Sequence, residues 1–221
     1  MPAVQDGRNA TEIKVKATMM KLFTLFLALS AAAPAAVQDT APAPAPATVR
    51  VTLTTREGPI VLELEKERAP VTTANFLRYV DQRRLDGAKF YRAAKAPNAP
   101  EYGLVQFGTG NEPKRTLPPI AHEPTSKTGL SHKTGVISLA RSAPGTGAGD
   151  FFIMVGDTPS LDASTAPGGD PGFAAFGHVA EGMDLIKRIL AAPTDPNKGE
   201  GVMKGQFLAA PVTIVTARRT N

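Results

Sequence analysis

The sequence predicts a mainly β domain, a closed antiparallel barrel or a two-sheet sandwich. Eight short stretches read as strands, at 49–55, 58–65, 89–94, 103–107, 135–141, 150–156, 173–179 and 211–219. Only two stretches show helical spacing, at 69–84 and 182–190. The 20 glycines and 20 prolines supply the turns that so many short strands need.

The elements follow in chain order. "VRVTLTT" alternates Val51 and Leu53 with polar neighbours, and "GPIVLELE" alternates Ile60, Leu62 and Leu64; the intervening "REG" reads as a hairpin turn. In 69–84 the spacing changes. Pro70 suits a first helical turn, and Val71, Ala74, Leu77 and then Phe76 or Val80 recur at three to four residues. The stretch 182–190 sets Met183, Ile186, Ile189 and Leu190 on one side. "PVTIVTARR" closes the chain as a strand.

Upstream lies a different composition. Residues 19–36, "MMKLFTLFLALSAAAPAA", place a lysine before an apolar run and small residues after it, as a secretory signal peptide does. The apolar run is short for a bilayer span, so no stable membrane insertion is expected after cleavage; an uncleaved membrane anchor is the alternative. Residues 1–18 read as a non-native extension upstream of a start at Met19 or Met20. Residues 37–48 are a Pro/Ala linker favouring polyproline II. The folded domain is expected over 49–221, in the periplasm.

Composition removes several chemistries. No cysteine means no disulfide, thiol nucleophile or Cys-based metal site, and it suits an oxidising compartment. His122, His132 and His178 lack ligand spacing, so no metal is expected. Ser138 sits in the apolar run "GVISLA" without a G-x-S-x-G elbow, which argues against a serine hydrolase. The loop "GTGAGD" reads as a turn feeding the next strand. Net charge is +5, and +3 once residues 1–36 are set aside, without a basic stripe; no nucleic-acid partner is expected. One residue stands out. In "KFYRAA" (89–94), Arg92 is a permanent cation within a strand of apolar residues.

Six pieces then occur in a telling order: "GPIVLELEKERAPVTTANFLRYV", "DGAKFYR", "LVQFGTG", "AHEPTSKTGLSHKTGVISLAR", "GDFFIMVGDTPSLD" and "FAAFGHVAEGMDLIKRI". Together they resemble a cyclophilin-type peptidyl-prolyl cis-trans isomerase over residues 49–219. The resemblance implies a closed eight-stranded antiparallel barrel capped by two α-helices, an outer substrate groove and no cofactor. It implies catalytic roles for Arg92 and Gln106. It implies substrate binding by Phe152, Leu104, Ala140, Arg141, Ser142, Leu161 and Phe173, with Phe151 left to the core. Expected partners are proline-containing unfolded or exported polypeptides, handled by a monomer.

Departures from the family pattern are local. Gly103 and Ser160 stand where pocket aromatics are usual, and Asp150 where glutamine is common. "AAKAPNAPEYGLV" after Arg92 is expected to form a long Pro-rich loop, and 163–172 is also long. These departures admit an alternative, a catalytically weak binding module for proline-containing segments.

Overall fold

Alternating side chains close this sheet into a ring. β1 (Thr48–Thr55) and β2 (Gly58–Glu65) pair antiparallel in unbroken register around a two-residue turn, and Val51, Leu53, Ile60, Leu62 and Leu64 are all buried. The ring continues through β3 (Lys89–Ala96), β4 (Ala99–Gly108), β5 (Val136–Leu139), β6 (Asp150–Val155), β7 (Ala174–Glu181) and β9 (Phe207–Thr220). Its order is β1-β2-β7-β5-β6-β4-β3-β9, and β9 pairs back onto β1. Closure leaves this eight-stranded ring without a free edge. The barrel alternative is therefore the observed one. A two-residue strand, β8 (Thr194–Asp195), pairs on the far side of β9, outside the ring.

The computed structural model describes residues 47–220. The expected upstream extension, the signal peptide and the linker, all but Ala47 and Thr48, lie outside the described residues. So does Asn221.

α1 (Pro70–Asp81) covers one barrel end. Its Phe76 meets the rings of Phe107, Phe151 and Phe176 at centroid distances of 6.5, 4.8 and 5.6 Å. The expected apolar face needs correction: Val71 and Ala74 are exposed. Thr72, Thr73 and Asn75 are buried instead, because each finds a polar partner. Thr73 donates to the Glu65 carbonyl, Asn75 to the Ala148 carbonyl, and Thr72 to the Glu123 carboxylate. α3 (Met183–Ala191) buries Leu185, Ile186, Ile189 and Leu190 toward the opposite end, where the Lys95 ammonium reaches the Ala191 and Ala192 carbonyls. Beyond the two expected helices, the described residues contain a one-turn helix, α2 (Thr125–Thr128), and 3₁₀ turns at Pro159–Leu161 and Gly201–Met203.

The segment after Arg92 also departs from expectation. It is no loose loop. β3 runs on to Ala96, Pro97 and Asn98 make a tight turn, and β4 begins at Ala99. Ala96 pairs with Ala99 and Lys95 with Gly103, so residues 100–102 bulge outward. Gly103 permits this with φ +143; a Cβ there would collide with the Ala94 carbonyl oxygen.

Candidate active site

A second bulge explains the arginine. In the β3–β4 ladder Phe90 faces Phe107, but Arg92 faces Gln106, leaving Tyr91 as an extra residue. Strict alternation would send Arg92 inward after the buried Phe90. The bulge sends Tyr91 and Arg92 both to the outer face and returns Ala93 to the interior. Gln106 in turn faces Phe152, and Phe152 faces Ser138. One row across four strands therefore carries Arg92, Gln106 and Phe152 side by side.

The Arg92 guanidinium is held in place. Its Nε and Nη2 donate to Gln206 Oε1 at 2.9 and 2.6 Å, and its Nη1 donates to Gln106 Oε1 at 2.7 Å. Three of the five guanidinium N–H groups are thus spent. One N–H on each terminal nitrogen is left for a ligand. Burial lowers the Arg92 pKa, with the neighbouring Tyr91 opposing that shift, but a guanidinium starts so high that it stays charged.

Gln106 is oriented from behind. Its Nε2 donates to the Tyr91 hydroxyl at 2.7 Å, and that hydroxyl donates to Asp150 Oδ1 at 3.1 Å. Asp150 is anchored by the Gly110 and Asn111 N–H groups at 2.8 and 3.2 Å. Donation runs one way from arginine to amide, phenol and carboxylate, and hydrogen bonds in such a chain strengthen one another. Burial holds the Asp150 carboxyl above the usual range despite these donors. Burial, then the Asp150 charge, pushes the Tyr91 phenol far up, so it keeps its proton. Phe207 stacks on Tyr91 at 6.0 Å.

Beside this polar edge lies an apolar floor. In β6, Phe151, Ile153 and Val155 belong to the barrel core, whereas Phe152 and Met154 point to the other face. Phe152 meets the edge of Phe173 at 5.4 Å and is backed by the His132 ring, stacked at 6.0 Å. The Arg141 guanidinium sits 4.8 Å above Phe173. It also donates to the Gly172 carbonyl and Asp170, bracing the long 163–172 segment that delivers Phe173. All nine residues singled out from the sequence line one groove of about 940 Å³: Arg92, Gln106, Phe152, Leu104, Ala140, Arg141, Ser142, Leu161 and Phe173.

Behind the floor, His132 links Asp162 (Nδ1 to Oδ1, 2.5 Å) to Ser138 (Nε2 to Oγ, 3.0 Å). The residue types are those of a hydrolase triad. Ser138 and His132 are fully buried, so no acyl group reaches the hydroxyl, and the arrangement serves as support for Phe152.

Sequence reasoning missed Tyr91, Gln206, Phe207 and His132 as parts of the site and took Asp150 only as a departure. Tyr91 carried no usable signal, since regular alternation sets it on the face opposite Arg92 and only the bulge brings the two together. Gln206 carried none, since its position depends on how Gly201–Met203 folds back and accepts from Gln206 Nε2 at the Val202 carbonyl.

Comparison with known proteins bears on this groove. Residues 50–218 match the family described as cyclophilin type peptidyl-prolyl cis-trans isomerase/CLD. The chain is 35% identical to a peptidyl-prolyl cis-trans isomerase of Acinetobacter baylyi over 146 residues, covering 64% of this chain and 72% of that protein. It is 33% identical to one from Streptomyces antibioticus over 167 residues, covering 75% and 95%. A Cryptosporidium parvum cyclophilin-type isomerase shares the fold, with TM-score 0.59 at 18% identity, over 79% of this chain and 99% of its own. That protein was also solved in the presence of the dipeptide Ala-Pro, and this second structure aligns with TM-score 0.60.

Proposed function

The chain belongs to the cyclophilin-type peptidyl-prolyl cis-trans isomerases, and on that premise we propose that Arg92 is the electrostatic lever of the reaction. The fixed guanidinium with two unspent N–H groups, set beside an apolar floor, carries this reading.

The obstacle to the reaction is amide resonance. Rotation about a peptide bond crosses roughly 18–20 kcal/mol and takes tens to hundreds of seconds at a prolyl bond. Twisting the bond localises the lone pair on the proline nitrogen and leaves the carbonyl less conjugated. A cation with forked donors favours that twisted state over the planar one without transferring a proton. No covalent intermediate is needed. The proline ring rests on Phe152 between Leu104, Leu161 and Phe173, while Arg92 addresses the twisting amide. Gln106, held by Tyr91 and Asp150, keeps the guanidinium aimed and offers its amide to the substrate backbone. Lowering the barrier by about 6 kcal/mol supplies four to five decades of rate.

The natural substrates on this reading are proline-containing segments of unfolded or exported polypeptides. The groove lies on the barrel's outer face, so the flanking chain needs no threading. An export signal over 19–36, periplasmic residence and a monomeric state belong to the same proposal.

The test is cis/trans exchange at an Xaa-Pro bond, followed by NMR or a protease-coupled assay. The protein accelerates exchange, and Arg92→Ala lowers the rate at least tenfold with the fold retained. Exchange equally fast in Arg92→Ala would refute the lever. Peptide binding without acceleration by the native chain would favour a binding module.

A further inference from the structure

Along the barrel face, the row next to Arg92, Gln106 and Phe152 is Ala94, Leu104 and Met154. Ala94 faces Leu104 and Leu104 faces Met154 across the same strands. These residues form the bed of a second depression, about 620 Å³, that adjoins the first: Leu104 and Leu161 line both. Glycines shape it. Gly103 lets β4 pack close against β3, since a Cβ there would collide with the Ala94 carbonyl oxygen. The Tyr102 ring, half exposed, lies over Gly156 and makes an outer wall; a Cβ on Gly156 would sit 2.7 Å from that ring.

The charged groups at its rim are already engaged. Lys95 donates to the Ala191 and Ala192 carbonyls, and Asp157 accepts from the Thr134 N–H and hydroxyl. What remains to be covered is mostly apolar, namely alanine, leucine, methionine and the face of a tyrosine, with Thr158 also in the lining. Such a surface gains by removing an apolar group from water. The buried Met154 thioether gives the bed an adaptable shape.

We propose that this depression is a specificity subsite of the isomerase, taking a large apolar side chain two residues from the substrate proline. Two residues along a strand span roughly 7 Å. That is the offset between the Phe152 row and the Met154 row, and it is the offset of alternate side chains on an extended peptide. A proline on Phe152 therefore sets the next same-facing side chain over Met154. The subsite rests on the isomerase reading, because its occupant is the same peptide.

The test uses the full chain and short peptides carrying phenylalanine, leucine or serine at the second position before or after one proline. The readout is the ratio of kcat/KM for the phenylalanine and serine peptides. At one of the two positions the ratio is at least fivefold, and Ala96→Trp, which narrows the rim, returns it to about one. Being a ratio, it is unmoved by a general loss of rate. Should Ala96→Trp fail to fold, the Met154 methyl resonance of the native chain decides: it shifts with the phenylalanine peptide and stays in place with the serine peptide. A ratio near one at both positions, a preference that survives Ala96→Trp, or a Met154 signal indifferent to phenylalanine overturns the subsite. Those outcomes leave exchange on the serine peptide intact. Loss of exchange on every peptide would instead strike the isomerase mechanism.

Discussion

Gln206 Oε1 accepts two hydrogen bonds from the Arg92 guanidinium, at 2.9 Å from Nε and 2.6 Å from Nη2. The two residues are 114 positions apart, and the contact spans the β3–β9 seam where Arg92 faces Phe207. A hydrogen bond to a charged group contributes about 1.5 kcal/mol or more. If the pair aims the guanidinium, Gln206→Ala lowers kcat/KM about tenfold while the thermal midpoint stays within a few degrees. Gln206→Glu preserves the geometry but offsets the positive charge, so it is also slower. A normal rate in both variants, measured by exchange NMR, would show that Arg92 needs no anchor.

The chain behind Gln106 makes a separate prediction. Tyr91→Phe keeps the ring against Phe207 but removes the acceptor of the Gln106 amide and the donor to Asp150. The Gln106 carbonyl is then free to turn away from Arg92, and kcat/KM falls threefold to tenfold, about 1 kcal/mol. Asp150 adds a pH signature. Its carboxyl titrates above the usual 3.8, burial being the largest cause. Protonation removes the charge at the end of the donor chain and turns one carboxyl oxygen into a donor, so kcat/KM declines on the acid side with a midpoint above 3.8. In Asp150→Asn that acid limb is absent.

Much of the fold was legible because burial on one face writes itself as alternation. β2 falls on 58–65 as expected, and Ile60, Leu62 and Leu64 point inward without exception. The groove residues were legible through motif order rather than periodicity. What stayed hidden has physical causes. The Tyr91 bulge inserts one residue into a ladder, and nothing in "KFYRAA" distinguishes a bulge from a regular strand. α1 hides its inner face because Thr72, Thr73 and Asn75 enter the protein with partners supplied from distant chain segments. The 95–103 hairpin was masked by its prolines, which sit in its turn and its bulge, where no ladder N–H is required.

Glu123 caps α1 from outside the helix. Its carboxylate accepts from the Val71 and Thr72 N–H groups at 3.2 and 2.9 Å, and from the Thr72 hydroxyl at 2.8 Å. Ala69, at the N-cap, offers no side-chain acceptor. Glu123→Ala leaves these donors unpaired in a nearly closed site. It lowers stability by about 1–3 kcal/mol, read from denaturant unfolding. Arg92 and Phe152 are untouched, so kcat/KM below the melting transition is unchanged. Glu123→Ser rescues little, because a serine side chain is too short to reach both amides.

His132 gives the fold a pH dependence of definite sign. Burial lowers its pKa from 6.5, and the Asp162 carboxylate only partly opposes this. Below pH 6.5 the unfolded chain therefore binds a proton at this site that the folded chain refuses. Stability contributed here is complete above the unfolded value and declines as the pH falls through it toward the lower, folded one. The slope reaches at most about 1.4 kcal/mol per pH unit. His132→Gln removes the titration and also strands Ser138 and Asp162, costing about 1–3 kcal/mol at about pH 8. The stability gap between the native chain and this variant is thus widest near pH 8 and narrows toward about pH 5. Paired urea titrations at the two pH values measure it. A gap that stays constant or widens on acidification would mean that His132 is protonated in the folded barrel, drawing its proton into the bond with Asp162.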